Sequence, residues 1–284
     1  MSFSIFKRSF TTASWLGWKV ESNWADPFLF FVYSVIKPVA GAAILVVMYS
    51  VITQGNFATP IFAYLFIGNA FYQYVGAVMT GVSWAIIDDR EHYRTLKYIY
   101  VSPINVPMYL VGRGVARFIT GTFAVLVTMA FGIIFLQVPF DPAVIDWGLF
   151  ALTIVVGIIM LTVMGISLAG VTLLTARVNV FPGDVVASLL YLFSGVIFPI
   201  NMLPSWLQWI GYIMPTSYWL ELIRRSLVGN IADAYPTFTA ISNSQLMLIL
   251  IGLTVVFGAI SYFVFKACDH AARERGLIDW TSEY

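Results

Sequence analysis

The charged residues of this chain are gathered into a few short islands. Between the islands run stretches of roughly 20 or more mostly apolar residues, about the length that crosses the hydrocarbon core of a bilayer. Lipid offers backbone N–H and C=O groups no partner, so each stretch must be helical or part of a closed barrel. Barrel strands alternate apolar and polar residues, and these runs do not. The expected fold is all-α, a polytopic membrane protein. Composition agrees: of 284 residues, 60% are hydrophobic and 10% charged, and the mean hydropathy is +0.87. A soluble domain is about half apolar and a quarter charged.

Six spans are the economical reading, near 28–52, 61–87, 108–136, 149–175, 185–200 and 245–265. The fifth is short and ends at Pro199. The stretch that follows, 201–230, is apolar but broken by Pro204, Gly211 and Pro215. Basic residues set the orientation. Lys7, Arg8 and Lys19 precede the first span, and Arg90, Arg94 and Lys97 lie between the second and third, with Arg113 and Arg117 just beyond. Arg177 separates the fourth and fifth, and Lys266, Arg273 and Arg275 follow the last. Six spans place all of these on one side, which is the cytoplasmic side of a cell membrane, with both termini there. Arg224 and Arg225 are the exception and fall outside.

Residues 1–27 read as an amphipathic interfacial helix, 28–265 as the transmembrane domain and 266–284 as a cytoplasmic tail. Phe3, Phe6, Phe10, Ala13, Gly17, Val20 and Trp24 recur at helical spacing, with Lys7, Arg8, Lys19 and Glu21 between them. Such a helix lies in the headgroup plane, in contact with membrane lipids. A plain anchor and a partner-contacting element are both open. Lys7 and Arg8 lead into Ser9, Thr11, Thr12 and Ser14 rather than an apolar core, so no signal peptide is expected.

The island Asp88–Pro103 reads as one short helix, with Asp88 as N-cap and Glu91 at capping-box spacing. Arg94 and Lys97 suit its C-terminal half, and Tyr93, Leu96 and Tyr100 form an apolar stripe. An ordinary positive-inside loop is the bland alternative. In the 201–230 stretch, prolines 204 and 215 suggest a re-entrant external hairpin, with Trp206 and Trp209 at the outer interface. Thr216 or Ser217 would cap a helix to about Val228, and Glu221 would pair with Arg224 or Arg225. The hairpin is either an external gate or an immobile plug.

Chemistry finds few candidates. A net charge of +1 argues against nucleic acid. Cys268 is the only cysteine, and His92 and His270 both fall in cytoplasmic segments. No span holds a carboxylate pair for acid–base work. No catalytic residue and no metal site are expected. Lys37, inside the first span, either lines a pathway or snorkels to the interface. Phe71, Tyr72 and Tyr74 are possible pathway aromatics, although packing explains such residues equally well. Gly157, Gly165 and Gly170 suit close helix approach.

The segment from Ile87 to Arg113, with Tyr93-Arg94-Thr95-Leu96, Val101-Ser102-Pro103 and Leu110-Val111-Gly112-Arg113, resembles the stretch after the second span in the ABC transporter type-2 permease family. Members carry an acidic-basic cluster, a Thr-Leu pair, a small residue with Pro, and Gly-Lys or Gly-Arg entering the third span. A second match, Phe193-Ser194-Gly195-Val196-Ile197-Phe198-Pro199 followed by Leu203-Pro204, Leu207, Pro215-Thr216-Ser217-Tyr218, Glu221, Arg224, Leu227 and Gly229, resembles the family's fifth span and re-entrant helices. His92-Tyr93 departs from the Lys-Gly or Arg-Gly of many members.

The resemblance implies the permease half of an ATP-driven exporter, paired with a second permease copy as a homodimer and with two cytoplasmic ABC ATPase subunits. Its cargo would be a lipophilic or amphipathic drug, lipid or glycolipid. Residues 88–102 would be the coupling helix, with Asp88, Asp89, Arg90, Glu91, Arg94, Thr95, Leu96, Lys97, Ser102 and Pro103 at the ATPase contact. Phe198, Pro199, Pro204, Trp206, Pro215, Glu221 and Arg224 would form the external gate. ATP and Mg would sit on the partner. None of the five lysines follows a glycine, as a phosphate-binding loop requires, so this chain needs no cofactor of its own. An ATPase-independent carrier or channel is the alternative.

Overall fold

A computed structural model of the chain describes residues 3–22, 26–54, 60–138, 141–175, 181–229 and 237–280, which places Trp24 and Arg177 outside the described residues. Everything regular among them is helical. Helix starts follow from local chemistry. Asp26 accepts from Phe28 N at 2.9 Å and Pro27 opens α2 (Pro27–Thr53). Asn105 caps α6 (Val106–Phe135), Asp146 caps α7 (Trp147–Leu174), and Ser242 with Gln245 builds a capping box on α11 (Asn243–Glu274). In each case an oxygen satisfies an N–H that the helix leaves without a partner.

Before α2 lies α1 (Phe3–Ser22). The second apolar run is one long rod made of α3 (Pro60–Tyr74), a π-helical stretch Val75–Thr80, α4 (Gly81–Ile87) and a second π stretch Asp88–His92. α5 (Leu96–Val101) leads into α6; α8 (Pro182–Phe193), α9 (Ser205–Ile213) and α10 (Pro215–Val228) precede α11. Five helical segments are long and apolar enough to cross a membrane: Ser34–Val51, Ile61–His92, Val106–Phe135, Trp147–Leu174 and Asn243–Glu274.

Small residues set how closely the helices approach, since hydrocarbon gives apolar side chains little reason to leave lipid. On α7, a Cβ at Gly157 would lie 2.0 Å from the Trp219 indole nitrogen, at Gly165 2.8 Å from Met79 O, and at Gly170 3.0 Å from Phe265 Cα. These glycines therefore seat α10, the first π stretch and α11. Gly112 lies against Ala13 and Gly17 against Ala116, which lets α1 pack along α6. An outer core gathers Phe62, Phe66, Phe71, Tyr74 and Trp219. An inner one gathers Ala13, Ile86, Leu96, Leu110, Leu173 and Phe265.

Five expectations need correcting. The fifth run, 185–200, yields only the 12-residue α8, about 18 Å at 1.5 Å per residue. Its helix breaks at Ser194 and Gly195, where φ is +73°. The island 88–102 is two pieces: Asp88–His92 continues the second run, and Arg94 turns the chain at φ +53° before α5. Asp88 is a helical residue inside that rod and caps nothing. Pro215 opens α10 after Met214, so Thr216 and Ser217 lie within the helix and do not cap it. The last helix runs past 265 to Glu274, carrying Lys266 and Arg273 on a rigid rod.

Candidate functional site

The second π stretch turns Asp89 inward, and the third long helix meets it with Tyr109 and Arg113, which share a face at i and i+4. Asp89 and Arg113 are each 1% exposed. Arg113 Nη1 lies 3.2 Å from Asp89 Oδ1, Nη2 lies 3.7 Å from Asp88 Oδ2, and Tyr109 OH donates to Asp89 Oδ2 at 2.7 Å. An unpaired buried charge costs several kcal/mol; here Nη1 is hydrogen-bonded to Asp89 and Tyr109, while Nη2 is buried with no hydrogen bond and has only the longer ion-pair contact to Asp88.

One turn further, Arg117 joins Asp88 at 3.5 Å to Glu21 of α1 at 2.8 Å. Burial pushes the Glu21 carboxyl above the ordinary glutamate range, against the pull of Arg117 and Arg113. Arg90, also buried, donates to Thr172 O on α7 at 3.2 Å and meets Glu91 at 2.8 Å. The cluster thus ties α1, the second rod, α6 and α7 together at one end of the bundle.

α5 hangs from this cluster. Tyr93 N donates to Asp88 O at 2.8 Å, and Thr95 N to Asp89 O at 2.7 Å. Leu96 and Ile99 are buried, while Arg94, Lys97, Tyr98, Val101 and Pro103 are exposed. Tyr98 and Val101 stand 64% and 84% exposed, an apolar pair in a polar setting. Ser102 closes the helix by donating to Ile99 O at 2.8 Å. Tyr100 points the other way, donating to Asp269 of α11 at 2.7 Å. Burial first, and that bond second, push its phenol up. Lys97 pairs with Asp279 at 3.4 Å, beyond the Gly276 turn where Leu277 packs back onto the inner core.

The expected contact residues therefore divide. Asp89, Arg90 and Leu96 are buried behind the surface, Asp88, Glu91, Thr95 and Ser102 are half-buried, and Arg94, Lys97 and Pro103 are exposed. The stripe Tyr93–Leu96–Tyr100 does not form one face, because Tyr93 is exposed. Sequence reading placed Arg113 and Arg117 in the basic rim and gave Tyr109 and Glu21 no partner. The signal that was present is two arginines four residues apart just inside an apolar run, opposite two adjacent aspartates.

At the other end, Arg224 of α10 is buried. Its guanidinium donates to Tyr64 O at 3.0 Å and Gly195 O at 2.7 Å and lies 4.1 Å from the Tyr64 ring centre. Gly68 makes room, since a Cβ there would fall 2.0 Å from Arg224 Nη2. Glu221 pairs with Arg225 at 2.8 Å, and Arg225 also donates to Ile241 O and Phe238 O, each at 2.7 Å. Trp219 donates to Thr153 O at 3.1 Å, while Ser226 O takes Asp146 N at 2.9 Å at the start of α7. α10 thus begins deep in the bundle, where Pro215 is buried, and ends at its rim. Phe198 is half-buried, Pro199 buried, and Pro204 and Trp206 exposed.

Phe71 and Tyr74 lie inside the outer core, edge-on to Phe150 and stacked on Phe118. Tyr72 reaches α8 through Ala187 O. Lys37 is exposed on α2, away from all three. The described residues contain no group of His, Cys, Asp and Glu that could hold a metal ion.

A family model for the ABC-2 type transporter matches residues 9–228; this chain belongs to that family of multi-pass membrane proteins, the permeases of ABC transporters. Among curated relatives, the chain is 28% identical over 190 residues to the probable multidrug ABC transporter permease YbhR of Escherichia coli K12, and equally to that of strain O157:H7. The alignment covers 66% of this chain and 48% of each relative, so the chain spans about half the length of the curated relatives it matches.

Proposed function

We propose that the chain is the membrane-spanning subunit of an ATP-driven exporter, expelling a lipophilic or amphipathic compound from the cytoplasm or inner leaflet of a cell membrane. Two copies of this chain form the pathway, and two cytoplasmic ABC ATPase subunits, carrying ATP and Mg, drive it. The relatives' multidrug description and the family membership support this assignment.

One observation carries the mechanism. α5 presents Arg94, Lys97, Tyr98 and Val101 outward while its root is bonded to the buried Asp89–Arg113 pair. An ATPase seated on that face pushes on the second rod, α6, α1 and α7 together, because the Asp89–Arg113 and Glu21–Arg117 ion pairs and the Arg90–Thr172 hydrogen bond join them. The coupling surface is then α5 and its flanks, and Asp88, Asp89 and Arg90 form the bracket behind it. Six crossings complete the topology: the short α8 together with the largely buried non-helical segment that follows it to Pro199 makes the fifth, α9 and α10 form the re-entrant external hairpin, and both termini stay cytoplasmic. The hairpin is the external gate, with Arg224 as its latch onto Tyr64 and Gly195.

The test is efflux of a fluorescent amphiphile from proteoliposomes holding the chain and its cognate ATPase. Transport should require ATP and disappear in Tyr98→Ala/Val101→Asp. Unchanged transport with no ATPase present would hand the assignment to a secondary carrier.

A further inference from the structure

A groove of about 450 Å³ runs between the start of α6, the middle of α7 and the C-terminal half of α11, bordering α5 through Asp269. Its walls are apolar: Ile104, Val106, Pro107, Val163, Ile166 and Phe265. Lys266, the first charge after the apolar run of α11, stands at its mouth with Arg273 and Asp269. The Asp269 carboxylate is occupied by Tyr100 OH at 2.7 Å and Arg273 Nε at 3.1 Å. Lys266 is exposed, lies beside the Tyr262 ring at 6.0 Å, and forms no ion pair among the described residues. Two cations against one anion leave the mouth positive. From Lys266 the groove extends to Gly258, eight residues or about 12 Å back along the apolar part of the helix.

An apolar groove of that length, carrying two cations and one anion beyond its apolar lining, matches an acyl chain beneath a phosphate. We propose that this groove binds one acidic glycerophospholipid, its phosphate at Lys266 and Arg273 and one chain along Phe265, Val163 and Ile166. The orientation proposed above makes it a lipid of the cytoplasmic leaflet; the site itself depends on neither transport nor an ATPase. Anionic headgroups are drawn to lysines at the membrane surface, and the Tyr100–Asp269–Arg273 bonds set the rim against α5, so a bound lipid braces α11 beside it.

Gly258 lines the groove, and a Cβ there meets nothing within 4 Å, so a side chain can be introduced at this point of its wall. Purified chain in detergent is titrated with palmitoyl-oleoyl phosphatidylglycerol and with the matching phosphatidylcholine, and bound lipid is counted by native mass spectrometry. The first phosphatidylglycerol should bind about fivefold more tightly than phosphatidylcholine, the effect of roughly one surface lysine. Lys266→Gln should erase that preference, and Gly258→Trp should weaken both lipids while the melting midpoint stays at the wild-type value. Equal binding of the two lipids by the wild type would overturn the proposal. So would a preference that survives Lys266→Gln, or binding undiminished in Gly258→Trp.

Discussion

At the scale of single residues, the chain's polar chemistry is concentrated in two buried clusters, one behind α5 and one on α10. Removing the Asp89 charge leaves buried Arg113 with only the more distant, half-buried Asp88, so Asp89→Asn should cost about 3 kcal/mol, read as a fall in the melting midpoint of the purified protein. Glu91→Gln, at a half-buried rim, should cost under about 1 kcal/mol. Equally small losses would mean that water reaches Arg113. Glu21 offers a pH signature. A carboxyl whose folded pKa is raised holds its proton more tightly in the folded chain, so its contribution is most favourable in acid. That contribution declines as pH rises from about 4.5, the ordinary value. Glu21→Gln should flatten that decline, and a stability profile identical to wild type would argue against the buried placement. Asp89 and Arg113 were both visible as charges beside apolar runs, but their pairing was not, because it spans two helices and depends on the π turn that aims Asp89 inward.

Among elements, α5 is the one whose two faces make opposite demands. Leu96→Ala empties a buried position of the inner core and should cost about 2–5 kcal/mol. Tyr98→Ala and Val101→Asp touch only the exposed face, so they should leave the melting midpoint unchanged and abolish co-purification of the ATPase subunit. A large melting shift for the surface pair, or intact co-purification, would break the assignment of that face. The Thr-Leu and Ser-Pro pairs of the sequence flank this helix at its two ends. Its division into a rod end and a separate helix was illegible, since a π turn leaves no compositional mark and Arg94 is not a residue that announces a positive φ. α10 shows the converse: Pro215 set its start and Gly229 follows its end, yet the partner of Arg224 proved to be backbone carbonyls on two other segments.

For the whole molecule, hydropathy was enough to find five long membrane helices and to mark the fifth run as unusual. Counting apolar residues cannot register that Gly195 breaks that run after 12 helical residues, nor that the last helix continues past Lys266 into the charged region. The central claim is that α5 faces the cytoplasm and seats the ATPase, with the α9–α10 hairpin on the far side. In a Cys268→Ser background, Tyr98→Cys and Trp206→Cys can be probed with a membrane-impermeant maleimide on right-side-out vesicles. The account predicts that position 206 labels in intact vesicles, and that position 98 labels only after permeabilisation and is shielded when the ATPase subunit is bound. Labelling of position 98 from outside, or labelling that the ATPase leaves unchanged, would contradict it.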